Sequence, residues 1–255
     1  MQRWQITRDG CAKATVFAFT VLLAAQASNV TYHIETTQPL SRFRPDQRSL
    51  LQKLNRVDAA HLAAWNRLIV PGRWDLEELA YSPLPAFIDR FSEEPKTVVV
   101  HLPAQVFGAY ELGTLVRWGP VSSGGPGRST PAGRYQLNWH ARVRISSVDD
   151  SWVMPWYFNF DDSEGYGFHQ YSLPGRPASH GCVRLLERDA KWLFYWGQPG
   201  TPVTVCGRYD FSRPRPWMQP AWWSRGVTFP EPVSPTGEGG AEAGEPFHPE
   251  FTVYR

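Results

Sequence analysis

From Thr97 onward the apolar residues fall into short runs broken by glycine and proline. They are Thr97–Leu102, Val106–Leu112, Thr114–Trp118, Gly133–Asn138, Val143–Ser147 and Pro202–Cys206. Runs of five to seven residues, rich in valine and aromatics and bounded by turn formers, predict strands. A succession of them predicts a mainly β domain, a sandwich or a barrel. One stretch has the other period: between about Glu187 and Trp196, Ala190, Leu193 and Phe194 share one face of a helix. Upstream, residues 28–96 read as a small α-helical subdomain. Asp46 is positioned as a cap before Leu50, Leu51 and Leu54, and Asp58 as a cap before Leu62, Trp65 and Leu68. The run Leu68-Ile69-Val70-Pro71-Gly72 is expected to end the second helix, and Tyr81–Pro85 to be an extended connector. Residues 209–255 are rich in Pro, Trp and Gly with little periodic apolar surface, so a flexible tail is expected there. Within it, Trp217, Trp222 and Trp223 are candidates to dock on the domain or to offer an aromatic platform to a sugar.

The first 27 residues stand apart. Arg3, Arg8 and Lys13 precede an apolar run from Thr15 to Ala25, then Ala25-Gln26-Ala27 before Ser28. This is the order of an export signal, with cleavage expected after Ala27. The apolar run is too short for a membrane-crossing helix, which needs about 20 residues. The chain is therefore expected to be exported, to the periplasm or cell envelope. Setting aside Arg3, Arg8, Lys13 and Asp9, the 26 basic and 24 acidic residues become 23 of each. A neutral mature chain with scattered arginines argues against a nucleic-acid partner. The remaining 97–208 segment is long enough for one catalytic domain, and a monomer is expected.

Of the three cysteines, Cys11 falls in the export segment. Cys182 and Cys206 remain, and an oxidising compartment makes a disulfide between them the plainest reading. The neighbours of Cys182 argue for chemistry instead. His169 and His180 precede it within fourteen residues, and a thiol becomes a nucleophile when an imidazole within reach takes or shares its proton. Gly181 lets the backbone approach a substrate carbonyl, and the amides of Gly181 and Cys182 are natural oxyanion donors. His169, His180 and Cys182 are also three possible zinc ligands, which leaves a zinc hydrolase as a rival. His101 and His140 read as surface or core residues.

The run Ser179-His180-Gly181-Cys182-Val183-Arg184, with His169 upstream, resembles the Ser-His-Gly-Cys-(Ile/Val)-Arg signature of the YkuD-type L,D-transpeptidase domain. Ser122-Ser123-Gly124-Gly125, Thr130-Pro131-Ala132-Gly133-Arg134-Tyr135 and Gly200-Thr201-Pro202-Val203 resemble further segments of that family, in its order. Gln170-Tyr171 departs from it, where Gly-Thr is usual. The resemblance implies a β-sandwich or barrel core that takes a peptidoglycan stem tetrapeptide as donor, releases D-alanine and passes the acyl group to an amine acceptor. It further implies Cys182 as nucleophile, His169 as general base, and His180 shaping the pocket or holding the thiolate. Arg184 suits a stem carboxylate, Ser179 orients the loop, and Tyr166 joins the substrate-binding set. No cofactor or metal is implied. More faintly, Leu50–Pro71 resembles the end of a LysM-type glycan-binding repeat through Asn66 and Leu-Ile-Val-Pro, beside the plainer reading of a packing subdomain. A non-enzymatic wall-binding protein is the rival from another class.

Overall fold

A computed structural model of the chain describes residues 30–36, 39–146 and 149–223. The expected export signal at 1–27 and the residues beyond 223 lie outside the described residues. A two-stranded antiparallel sheet comes first, β1 (Tyr32–Thr36) with β2 (Arg67–Pro71), and α1 (Pro45–Asn55) and α2 (Ala59–Ala64) lie between them in sequence. The main sheet has nine strands: β3 (Thr97–His101), β4 (Val106–Glu111), β5 (Thr114–Ser122), β6 (Gly133–Gln136), β7 (His140–Ile145), β8 (Val153–Asp161), β9 (Tyr166–Gln170), β10 (Val183–Leu185) and β11 (Pro202–Cys206). A helix, α3 (Glu187–Trp196), separates the last two, and a short α4 (Pro220–Trp223) closes the described chain. The fold is mainly β, as the run pattern predicts.

Strand order is β6-β11-β3-β4-β5-β10-β9-β8-β7. The two edge strands, β6 and β7, are consecutive in the chain and joined by residues 137–139 alone. A residue spans at most about 3.5 Å, so the sheet must curl until its edges approach. The linker continues the β7–β8 ladder: Asn138 N–H donates to the Asn159 carbonyl and Asn159 N–H to the Trp139 carbonyl, each at 2.9 Å. Inside the curl, α3 packs Ala190 and Leu193 against Val98, Phe107, Phe158 and Val183.

The outer face of β3–β5 is covered too. Leu50, Leu54, Ile69 and Tyr81 share one core with Val99, Val106, Tyr110 and Trp118, so all five residues of β3 are buried. Burial on both faces is what a continuous apolar run encodes. Residues 28–96 therefore differ from the all-helical expectation. Leu68-Ile69-Val70-Pro71 forms β2 rather than a helix end, because branched side chains at successive positions find apolar partners on both sides. Asp46 is not the cap of α1; Arg44 holds that position, with Pro45 at the first helical residue and Gln47 accepting the Arg44 amide at 2.9 Å. Asp58 does cap α2, accepting the His61 amide at 2.9 Å. The described part of the tail also departs from a flexible one. Trp217 is fully buried, and Trp223 stacks on Tyr32 with ring centroids 4.5 Å apart.

Candidate active site

The loop that carries Ser179 and Cys182 hangs between β9 and β10, which run parallel with Arg184 opposite His169. Side chains two apart on a strand share a face, so Cys182 and Arg184 project to the side where His169 stands. Gly167, two residues before His169, leaves that face open; a Cβ there would lie 2.6 Å from the Tyr157 ring. Tyr157, on β8, stacks beside the His169 ring with centroids 6.5 Å apart. Its hydroxyl is a junction: it donates to the Gly165 carbonyl at 2.9 Å and accepts from Asn159 at 3.1 Å and from Arg144 of β7. Arg184, His169, Tyr157 and Arg144 thus form a belt across four strands, with the Cys182 sulfur beside it.

Together with His180, Tyr166, Ser179 and Tyr171, the thiol, His169 and the Arg144 and Arg184 guanidiniums line one pocket. The larger opening near Trp65, Arg67 and Arg215 holds no nucleophile. Cys182 and Cys206 are free thiols, so the disulfide reading does not hold. Cys206 sits in the core against the Val100 carbonyl at 3.3 Å. His101 is buried with its Nδ1 accepting the Ala104 amide at 3.1 Å. His140 lies outside the pocket, edge-on to Phe194.

The loop is built by the motifs upstream of it. The Thr130 hydroxyl donates to the Gly181 carbonyl at 2.7 Å and accepts the Gly124 amide at 2.9 Å. The Ser123 carbonyl accepts the amides of Ala178 and Ser179 at 2.9 and 3.0 Å, and Gln105 holds Ser123 in turn. Ser179 ties the loop from within: its hydroxyl donates to the Cys182 carbonyl at 2.5 Å and accepts the Gly181 amide at 3.1 Å. The glycine at 181 has a different reason from the one its sequence suggests. Its φ is +125°, and a Cβ would stand 2.1 Å from the Tyr166 ring. The glycine admits that ring and the turn, and its amide is already engaged.

Electrostatics distinguish the two titrating partners. Burial lowers the His169 pKa to about 4, partly opposed by the Gln170 carbonyl, which lies 3.0 Å from Nδ1. Nδ1 carries the proton toward that carbonyl, which leaves Nε2 as the acceptor. Burial also raises the Cys182 thiol above its usual range, with the Gly167 amide and the Arg144 and Arg184 guanidiniums acting the other way. Both groups are therefore neutral near pH 7, rather than a preformed thiolate–imidazolium pair. His180 packs its ring on Trp152 at 4.6 Å, and its Nδ1 is buried without a hydrogen-bond partner. Among the described residues no three His, Cys, Asp or Glu side chains converge as metal ligands would.

Sequence reasoning missed Arg144 and Tyr157. Neither belongs to a motif; the one available signal was the alternation of Arg142 and Arg144 along a strand, which any exposed strand face shows.

Residues 95–205 match the family described as the YkuD L,D-transpeptidase catalytic domain. The chain is 29% identical to an L,D-transpeptidase structure from Stackebrandtia nassauensis, with 46% of this chain and 58% of that one covered at a TM-score of 0.43. It is 22% identical to L,D-transpeptidase 3 from Mycobacterium tuberculosis, covering 44% and 61% at 0.40. For an L,D-transpeptidase structure from Xylanimonas cellulosilytica the values are 26% identity, 64% and 93% coverage, and 0.48. The chain thus spans less than two thirds of the length of the first two. No curated protein is a significant match. Motif order and the family match together make the 95–205 segment, less than half of the chain, similar to the YkuD L,D-transpeptidase catalytic domain.

Proposed function

We propose that the protein is an exported L,D-transpeptidase that cleaves peptidoglycan stem tetrapeptides through a Cys182 thioester. The observation that carries this reading is the sharing of one pocket by the Cys182 thiol, the neutral His169 imidazole and the Arg184 guanidinium. His169 Nε2 takes the thiol proton as sulfur bonds to the carbonyl carbon of the third stem residue. The carbonyl electrons move onto oxygen, where the Cys182 amide stabilises them; the Gly181 amide, bound to Ser179, serves the loop instead. As the oxyanion collapses, the C–N bond breaks, and the imidazolium gives its proton to the departing D-alanine amine. An acceptor amine then adds to the thioester, loses its proton to His169 and releases the thiol. Arg184 binds a stem carboxylate, and Tyr166 and Ser179 hold the loop and wall of the donor site. His180 shapes the pocket with Trp152. The working unit is a monomer without cofactor or metal, acting at the cell envelope.

The test is incubation with disaccharide-tetrapeptide, offering a second stem, a lipoprotein-type lysine and a free D-amino acid together, followed by mass spectrometry. Loss of D-alanine, a covalent adduct on Cys182 and at least one amide-linked product are expected, all absent in Cys182→Ala. Turnover by Cys182→Ala, or no adduct and no D-alanine release from the parent protein, overturns the proposal. A non-enzymatic wall-binding protein would bind sacculi and give neither.

A further inference from the structure

Arg144 has no part in the covalent steps, yet it is held as firmly as any residue in the pocket. Its guanidinium donates to the Gly165 carbonyl at 3.2 Å and to the Tyr157 hydroxyl. It lies over the Tyr157 ring at 4.5 Å and the Trp139 ring at 5.2 Å from their centroids. Among the described residues it makes no ion pair, and neither does Arg184, whose guanidinium sits over Tyr171 at 4.6 Å. Glu164 is the one carboxylate lining the pocket, and it too has no ion-pair partner. The desolvation of Arg144 is offset by a carbonyl, a hydroxyl and two rings rather than by a carboxylate, which leaves its charge available to an anion entering the pocket. Arg144 is also close to the reacting atom. The Gly165 carbonyl that accepts from Arg144 at 3.2 Å lies 4.0 Å from the Cys182 sulfur.

Two fixed guanidiniums lining one pocket with the thiol, at the two ends of the belt, fit a donor with two carboxylates. Building on the proposed function, we infer that Arg144 is a specificity-determining residue that reads a free carboxylate at the end of the third stem residue's side chain. Arg184 takes the carboxylate of the leaving residue. The side-chain terminus recognised is a zwitterion, its carboxylate on the planar fork of Arg144 and its ammonium toward Glu164. A stem with a plain lysine in third place, or with that carboxylate amidated, leaves the guanidinium buried without an anion and loses affinity in the transition state.

Three donors test this on the full chain: a tetrapeptide with a free diamino diacid in third place, the same peptide amidated on the side-chain carboxylate, and the same peptide amidated on its terminal D-alanine. For the parent protein, side-chain amidation is expected to lower kcat/KM about tenfold or more, the scale of a lost charge-assisted hydrogen bond. Arg144→Gln is expected to bring the free-to-side-chain-amidated ratio close to one while preserving the response to terminal amidation. Arg184→Gln is expected to do the reverse. Arg144→Lys, which keeps charge without the fork, should give an intermediate ratio. The inference is overturned if the parent protein treats free and side-chain-amidated donors alike, a result that needs no variant. It also fails if Arg144→Gln flattens the response to terminal amidation instead. Failure of the underlying reading looks different: no donor of the three releases D-alanine.

Discussion

At Cys182 and His169 the same force acts in opposite directions: burial raises the thiol and lowers the imidazole to about 4. In the proposed mechanism the Cys182 thiol therefore loses its proton during attack rather than being stored as a thiolate. Alkylation of Cys182 by iodoacetamide in the free protein should accelerate with pH toward a midpoint above the ordinary thiol value of 9.0, followed as adduct mass. A plateau already reached near neutral pH would contradict the neutral pair. His169 also ties stability to pH. The unfolded chain accepts a proton near 6.5, whereas the folded chain accepts it only at about 4, so more protons are bound unfolded across that window. Stability rises with pH there, and falls by up to about 3 kcal/mol as pH drops from 6.5 to 4. His169→Gln should remove this part of the acid sensitivity, read as a smaller shift in urea midpoint between pH 7 and pH 4.5.

Among the elements, the loop between β9 and β10 depends on a helix that the matched domain does not include. Asp58 caps α2, and its second oxygen accepts the Leu173 amide at 2.8 Å while the Leu173 carbonyl accepts the Asp58 amide at 3.1 Å. Val57 bridges Pro174, and Arg215 donates to the Gly175 carbonyl at 3.1 Å. The segment leading to Ser179 is thus braced from both ends of the chain. Asp58→Ala should cost about 1–2 kcal/mol through the lost cap and the orphaned Leu173 amide, measured by chemical unfolding. It should also lower kcat more than it raises KM, because the loop carries the nucleophile. Asp58→Asn, which keeps an acceptor, should recover most of both. Equal losses for the two variants would mean that the charge, rather than the hydrogen bonds, supports the loop.

The molecule as a whole is sewn together by a buried cation. Lys53 of α1 is fully buried, donating to Glu78 and to the Trp118 carbonyl at 2.5 Å each, with Asp189 of α3 3.8 Å away. Asp189 also pairs with Arg117 at 2.7 Å. Removing one member of such a set leaves buried charge uncompensated, so Lys53→Ala should destabilise by about 3–5 kcal/mol. Residues 30–223 should still unfold in a single calorimetric transition; two separable transitions would show the amino-terminal segment to be an independent module. Arg56, fully buried against the Trp217 and Trp223 rings, extends the same joint to the tail. What the sequence determined by itself was whatever is local. Short branched runs became β3, β4 and β11, the helical period became α3, and the spacing of His169, Ser179 and Cys182 marked the loop that the structure brings to the pocket. β8, β9 and β10 were harder to read: β10 has three residues, and β8 mixes Pro155 and a positive φ at Trp156 with its apolar positions. The curl of the sheet, the burial of Lys53 and Arg56, and the belt from Arg184 to Arg144 were decided only in three dimensions. Each depends on residues tens of positions apart being brought to one face, and the desolvation that gives those charges their meaning exists only once the chain has closed around them.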